Sequence, residues 1–141
     1  MVEVIGPATS GQIAALKRSR RLKGGETLDQ IGAKAMRVSW PNKRGGWHPF
    51  SEWLALPTLI EGGFKLWPMD RNGNLRLDDG KLKPVNVKPV SVIASPGLRD
   101  NQVDSIRRLY DVEGESDCLA AIEAGIAHVI ASTGGAGSLA G

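Results

Sequence analysis

Residues 64–94 read FKLWPMDRNGNLRLDDGKLKPVNVKPVSVIA. Asn72-Gly73 stands between two short alternating runs, with Leu66 and Met69 on one side and Leu75 and Leu77 on the other. Both residues of such a pair tolerate φ > 0, as the primed turn of a two-residue hairpin requires, so the stretch predicts a hairpin. A second turn is predicted at Asp78-Asp79-Gly80. Beyond it lies a Val-rich run, Val85, Val87, Val90, Val92 and Ile93, interrupted by Pro84 and Pro89. Each proline lacks the N–H that a ladder needs, so this run belongs at a sheet edge or breaks at a bulge. Helical patterns precede and follow the block. The fold expected is therefore α+β: a small, mainly antiparallel sheet built on residues 64–94, packed with N-terminal and C-terminal helices.

Upstream, Val2, Val4 and Ile5 form a short apolar start closed by Gly6-Pro7, read as an edge strand or an arm. Thr9 or Ser10 can cap a first helix by accepting an orphan N–H, with Ile13 and Leu16 on one face. Residues 17–23, KRSRRLK, point nearly all round that helix, and Gly24-Gly25 stops it. Thr27 and Gln30 have capping-box spacing for a second helix, carrying Leu28, Ile31 and Ala35. Residues 36–40 read as a strand with Met36, Val38 and Trp40 on one face. Residues 41–49 read as a loop, and residues 51–56 as one or two helical turns closed by Pro57.

Downstream, Asp100 is expected to cap a helix over 101–110, with Val103, Ile106 and Leu109 inward. Ser116 is expected to cap a last helix over 117–132, whose stripe is Leu119, Ile122, Ile126, Val129 and Ile130. Cys118, Ala121 and Gly125 flank that stripe and are small enough for another backbone to approach. Residues 1–133 thus form one domain, and residues 134–141, GGAGSLAG, a Gly-rich C-terminal arm.

A chain of 141 residues can bury roughly 70% of its unfolded surface in one core. Hydrophobic content of 41% and charged content of 23% suit a soluble globular protein rather than a disordered chain. The single cysteine excludes an intrachain disulfide framework. The first residues lack the basic and apolar regions of a signal peptide, and no apolar run approaches the ~20 residues of a membrane span. The location expected is cytoplasmic or within a virion, with no membrane partner. Charge is polarised: +6 over residues 1–50, +1 over 51–96 and −4 over 97–141. Such a chain can meet nucleic acid with its front or pair front to back with copies of itself.

Catalytic and metal sites fare poorly. Asp70, Asn72 and Asn74 match the first ligand spacings of a calcium loop, but Leu75 stands where the turn glycine belongs and Lys81 where the bidentate Glu belongs. One Cys and two His do not make a zinc site. Cys118 with His48 or His128 would be a thiol–imidazole pair, yet Cys118 borders an apolar stripe, where a thiol is ordinarily buried and inert. The tail's GGAG is expected to follow a helix, the wrong context for a phosphate loop. No catalytic residue, cofactor or metal is expected.

Residues 12–39 resemble a helix-turn-helix of the phage-repressor type, with LKRSRRLKGGETLDQIGAKAMRVS as the similar part, over under a fifth of the chain. The position of its recognition helix is taken by WPNKRGGWHP, whose two prolines and Gly-Gly pair forbid a helix, so the family is not assigned. The first function expected is that of a non-enzymatic structural or assembly protein, a homo-oligomer or capsid-associated virion component. It would act through protein contacts at Val2, Val4, Gly125 and Leu139. The alternative is a small basic DNA- or RNA-binding protein using Lys17, Arg18, Arg20, Arg21, Lys23, Lys43, Arg44 and Trp47, because cations attract phosphate and exposed indoles stack on bases.

Overall fold

The computed structural model describes residues 2–20, 25–99 and 108–134, with backbone alone at 2–5, 19–20, 25 and 99. Five strands form the main sheet: β1 (Val2–Pro7), β2 (Lys34–Val38), β3 (Ser51–Pro57), β4 (Phe64–Pro68) and β7 (Val85–Val87), in the order β1-β2-β3-β4-β7, all antiparallel. A two-stranded ribbon, β5 (Leu77–Asp78) and β6 (Lys81–Leu82), lies between β4 and β7 in the chain. A second sheet has the order β8-β10-β9, from β8 (Val92–Ala94), β9 (Tyr110–Val112) and β10 (Val129–Ser132). Among the described residues the helices are α1 (Ser10–Arg20), α2 (Gly25–Gln30), α3 (Pro96–Arg99) and α4 (Glu115–Glu123). This is the α+β fold expected, but its centre is β3 rather than the block at 64–94, which contributes only β4 and β7 to the main sheet.

Strand β3 is central because both of its faces are apolar. Leu54 and Leu56 join a core with Leu16, Leu28, Ile31 and Trp67, while Trp53 and Ala55 join a second cluster with Met36, Val38 and Leu66. The expectation of helical turns at 51–56 is overturned. A short continuous apolar run fits a two-sided buried strand and a buried helix equally, and only pairing with β2 and β4 decides. The first core continues across to the second sheet through Ile93, Leu119 and Val129.

Helix α1 is capped at Thr9. Its Oγ1 accepts from the Gln12 N–H at 3.2 Å, and Gln12 Oε1 accepts from the Thr9 N–H at 2.9 Å, a reciprocal capping box. The Gln12 amide then donates to the Trp53 carbonyl at 3.2 Å, tying the helix start to β3. The box expected at Thr27 and Gln30 does not form: α2 begins at Gly25, Thr27 is buried within it, and Ala35 belongs to β2.

The two turns exchange roles. At Asn72-Gly73 only Gly73 has positive φ, 77°, and Asp70 organises the loop by accepting from the Asn72 and Asn74 N–H groups. At Asp79-Gly80 both residues are left-handed, 52° and 73°, and the strands on either side pair Asp78 with Lys81. The primed two-residue turn is therefore the second one. Asp79→Val is expected to lower stability by about 1 kcal/mol, since a β-branched residue resists αL. Asn72→Val should stay within about 0.5 kcal/mol. Equal urea midpoints for the two variants would contradict this assignment.

The Val-rich run behaves as its prolines require. Val85–Val87 is the edge of the main sheet, Lys88 (φ 68°) and Pro89 break the chain, and Val92–Ala94 enters the second sheet. The last helix is shorter than its apolar period implies. Gly125 (φ 90°) ends it with a Schellman motif: the Gly125 N–H donates to the Ile122 carbonyl and the Ile126 N–H to that of Ala121. Its N-cap is Gly114, not Ser116. Residues 129–132 then form β10, parallel to β9 and antiparallel to β8. The helix expected over 101–110 falls mostly outside the described residues, though Leu109 is exposed and Tyr110 opens β9.

Candidate nucleic-acid interface

The β2–β3 connection, expected as a plain loop, continues as a ribbon beyond the sheet. The His48 N–H donates to the Trp40 carbonyl at 2.8 Å, Pro41 bridges Trp47, and the Asn42 N–H donates to the Gly46 carbonyl at 2.8 Å. Asn42 Oδ1 accepts from the Arg44 and Gly46 N–H groups, and Gly45 takes φ 83°. Every turn of this tip is thus hydrogen-bonded, and the exposed Lys43 and Arg44 are carried at its apex. Opposed residues share a face of a ribbon and successive residues do not, so Trp47, opposed to Pro41, and Trp40, next to Pro41, project from opposite faces.

Three large aromatic side chains stay in contact with water here: Trp40 at 37% exposure, Phe50 at 43% and Trp47 at 56%. Trp40 is anchored edge-on against the buried Trp53, with ring centres 6.4 Å apart. The guanidinium of Arg37 lies 5.5 Å over the Phe50 ring, and that of Arg76 lies 5.5 Å over Trp53. Residues 34–50 contain Lys34, Arg37, Lys43 and Arg44 and no carboxylate.

The turn after β4 emerges at the same end of the sheet, because the Met69 N–H donates to the Glu52 carbonyl. It adds Arg71 and Arg76. Arg18 donates to Asn74 Oδ1, which brings α1 against this turn. Between the turn and the start of β3 lies an open cleft of about 690 Å³, lined by Phe50, Ser51, Glu52, Met69, Arg71 and Arg76 among others.

The cations expected to act together divide as follows. Lys43, Arg44 and Trp47 share the ribbon; Lys17 and Arg18 are exposed on α1, and Arg18 reaches the adjoining turn. The Arg20 side chain, Arg21 and Lys23 lie outside the described residues. Arg37 and Phe50 belong to the same basic and aromatic stretch of the chain, whereas Arg71 and Arg76 enter only through register, since no local pattern links positions so far apart. Among the expected protein contacts, Val2 and Val4 belong to β1, opposite Val38 and Met36, so this segment is a strand of the chain's own sheet rather than a free arm. Gly125 serves as the helix stop, with open space rather than a backbone where a Cβ would stand, and Leu139 lies outside the described residues.

Cys118 is fully buried, with its Sγ 3.8 Å from the Ile93 carbonyl. Burial, with Glu115 adding to it, pushes the thiol up to about 12, so it carries no thiolate at neutral pH. Among the described residues no group of His, Cys, Asp and Glu is placed to hold a metal, and no helix is long and apolar enough to cross a membrane. The Gly-rich run follows strand β10 rather than a helix, which corrects the context expected for it; residues 135–137 lie outside the described residues.

No family model, curated protein or solved structure matches the chain. The arrangement at this end of the sheet stands on its own chemistry: hydrogen-bonded backbone, exposed rings and a surplus of cations.

Proposed function

We propose that the chain binds single-stranded nucleic acid with the β2–β3 ribbon and the turn beside it. One observation supports this reading above the rest: residues 34–50 carry exposed Trp40 and Trp47, on opposite faces of the ribbon, with Phe50, Arg37, Lys43 and Arg44 at one end of a sheet, without a carboxylate among them. Cations follow the phosphate backbone, and exposed rings give unpaired bases a surface on which to stack. Paired bases do not offer that surface, so the reading favours single strands over duplex.

The test is fluorescence anisotropy with a labelled single strand and its duplex across a salt series. With three or four phosphate contacts, the slope of log K against log salt should be about −2 to −3. Trp47→Ala should weaken binding by about 1–3 kcal/mol. The pair Lys43→Glu and Arg44→Glu should remove most of what remains at low salt. A duplex preference, or binding indifferent to these changes, would overturn the reading.

The assembly reading remains as a second proposal. It draws on the outer edges of β1 and β7, at the ends of the main sheet order, and on the exposed Leu59, Leu77 and Val90. Edge strands can take up a partner strand, although Pro84 and Pro89 restrict β7 to three residues. Light scattering at rising concentration separates the two: a self-associating chain grows in mass without nucleic acid, and a strand-binding monomer does not.

A further inference from the structure

We infer that the cleft beside the ribbon is a subsite for one guanine base of the bound strand, with the Glu52 carboxylate reading its Watson–Crick edge. The inference rests on the nucleic-acid reading and specifies what that site selects. Glu52 is exposed at the start of β3 and lines the cleft; it lies opposite Arg37 in the β2–β3 register, yet takes part in no ion pair within 4.0 Å and no side-chain hydrogen bond among the described residues. A carboxylate in a phosphate-binding region repels the backbone, so its place there suits contact with base donors instead. It is acceptor-only, and its two oxygens fit two parallel N–H donors. Guanine offers such a pair, N1–H beside the N2 amine. Thymine offers a single N–H flanked by two carbonyls, and cytosine and adenine each set a ring acceptor beside their amine.

The remaining walls suit the same guest. Phe50 lines the cleft, while Arg37, which lies over its ring, does not, so the ring can present its other face to a base. Arg71 and Arg76 also line the cleft and can meet the phosphates flanking the base, while Asp70 beside them is occupied in accepting from the Asn72 and Asn74 N–H groups.

The experiment compares a labelled oligothymidylate, the same strand with one central guanine, and the same strand with inosine there, which lacks the N2 amine. The guanine strand should bind about tenfold tighter than oligothymidylate at equal salt, and inosine should lose most of that gain. In Glu52→Gln the two strands should bind alike. Equal affinity of the wild-type protein for all three strands overturns the subsite while leaving the nucleic-acid reading in place, as does a guanine preference that survives Glu52→Gln. Failure of every strand to bind at low salt overturns both.

Discussion

Trp67→Ala is expected to lower the unfolding free energy by about 3–5 kcal/mol, the range for truncating a large aromatic side chain in a packed core. Trp67 is 1% exposed. It sits on β4 opposite Leu54 of β3, in the core that α1, α2 and α4 share with the sheet. Deleting the indole leaves a cavity bounded by regular elements on several sides, which cannot collapse without moving a strand. At about 4 °C per kcal/mol for a chain of this size, the melting temperature should fall by about 12–20 °C. Trp47→Ala, which removes the same side chain from an exposed position, should stay within about 0.5 kcal/mol. Circular dichroism melts of the two variants check the contrast. Similar curves would mean that burial does not distinguish these tryptophans.

Lys65→Met is expected to cost about 3–5 kcal/mol. Lys65 is buried on β4, 8% exposed at its side chain, and its Nζ lies 3.4 Å from Glu115 Oε1, itself 17% exposed. The same ammonium donates to the Thr133 carbonyl. It therefore links the main sheet to the first turn of α4 and to the end of β10. Methionine fills the volume but leaves the Glu115 carboxylate without its cation, and an uncompensated charge in a partly dry site is costly. Asn86 Nδ2, 3.5 Å from the Thr133 carbonyl, is a weak substitute for the lost donor. Adding Glu115→Leu should recover part of the loss, because the orphaned charge goes. Recovery should not be complete, since a carboxylate in the first turn of α4 also favours the helix dipole. Urea unfolding of the two single variants and the double variant measures the coupling. Strict additivity would show that the pair contributes no interaction of its own.

Exposure and reactivity at the second sheet follow the same logic. Cys118, on α4, is buried against Ile93 of β8, and its thiol is kept protonated by burial. That accounts for a lone cysteine without chemistry, as its place beside an apolar stripe already implied.

Sequence alone determined those features that depend on a few adjacent residues. Thr9 can cap a helix because its own hydroxyl reaches the first turn. Asp79-Gly80 can make a tight turn because both residues accept the left-handed region. Pro84 and Pro89 confine their strand to an edge because they lack a donor. In each case the deciding energy is local, although the same local rule gave the primed hairpin to Asn72-Gly73, where only Gly73 takes positive φ. Tertiary structure decided the rest. Residues 53–56, WLAL, are equally apolar as strand or helix, and partners on both sides made them the central strand. Residues 126–132 continued a helical period, but Gly125 had already closed α4, and pairing with β8 and β9 drew Val129–Ser132 into a sheet. The candidate site depends most on tertiary structure. Lys43, Arg44 and Trp47 were legible because charge and aromatic rings cluster in the chain. Glu52, Arg71 and Arg76 were not, because the register of β3 against β4 alone brings them to one cleft, and register is set by cores far from the residues it positions.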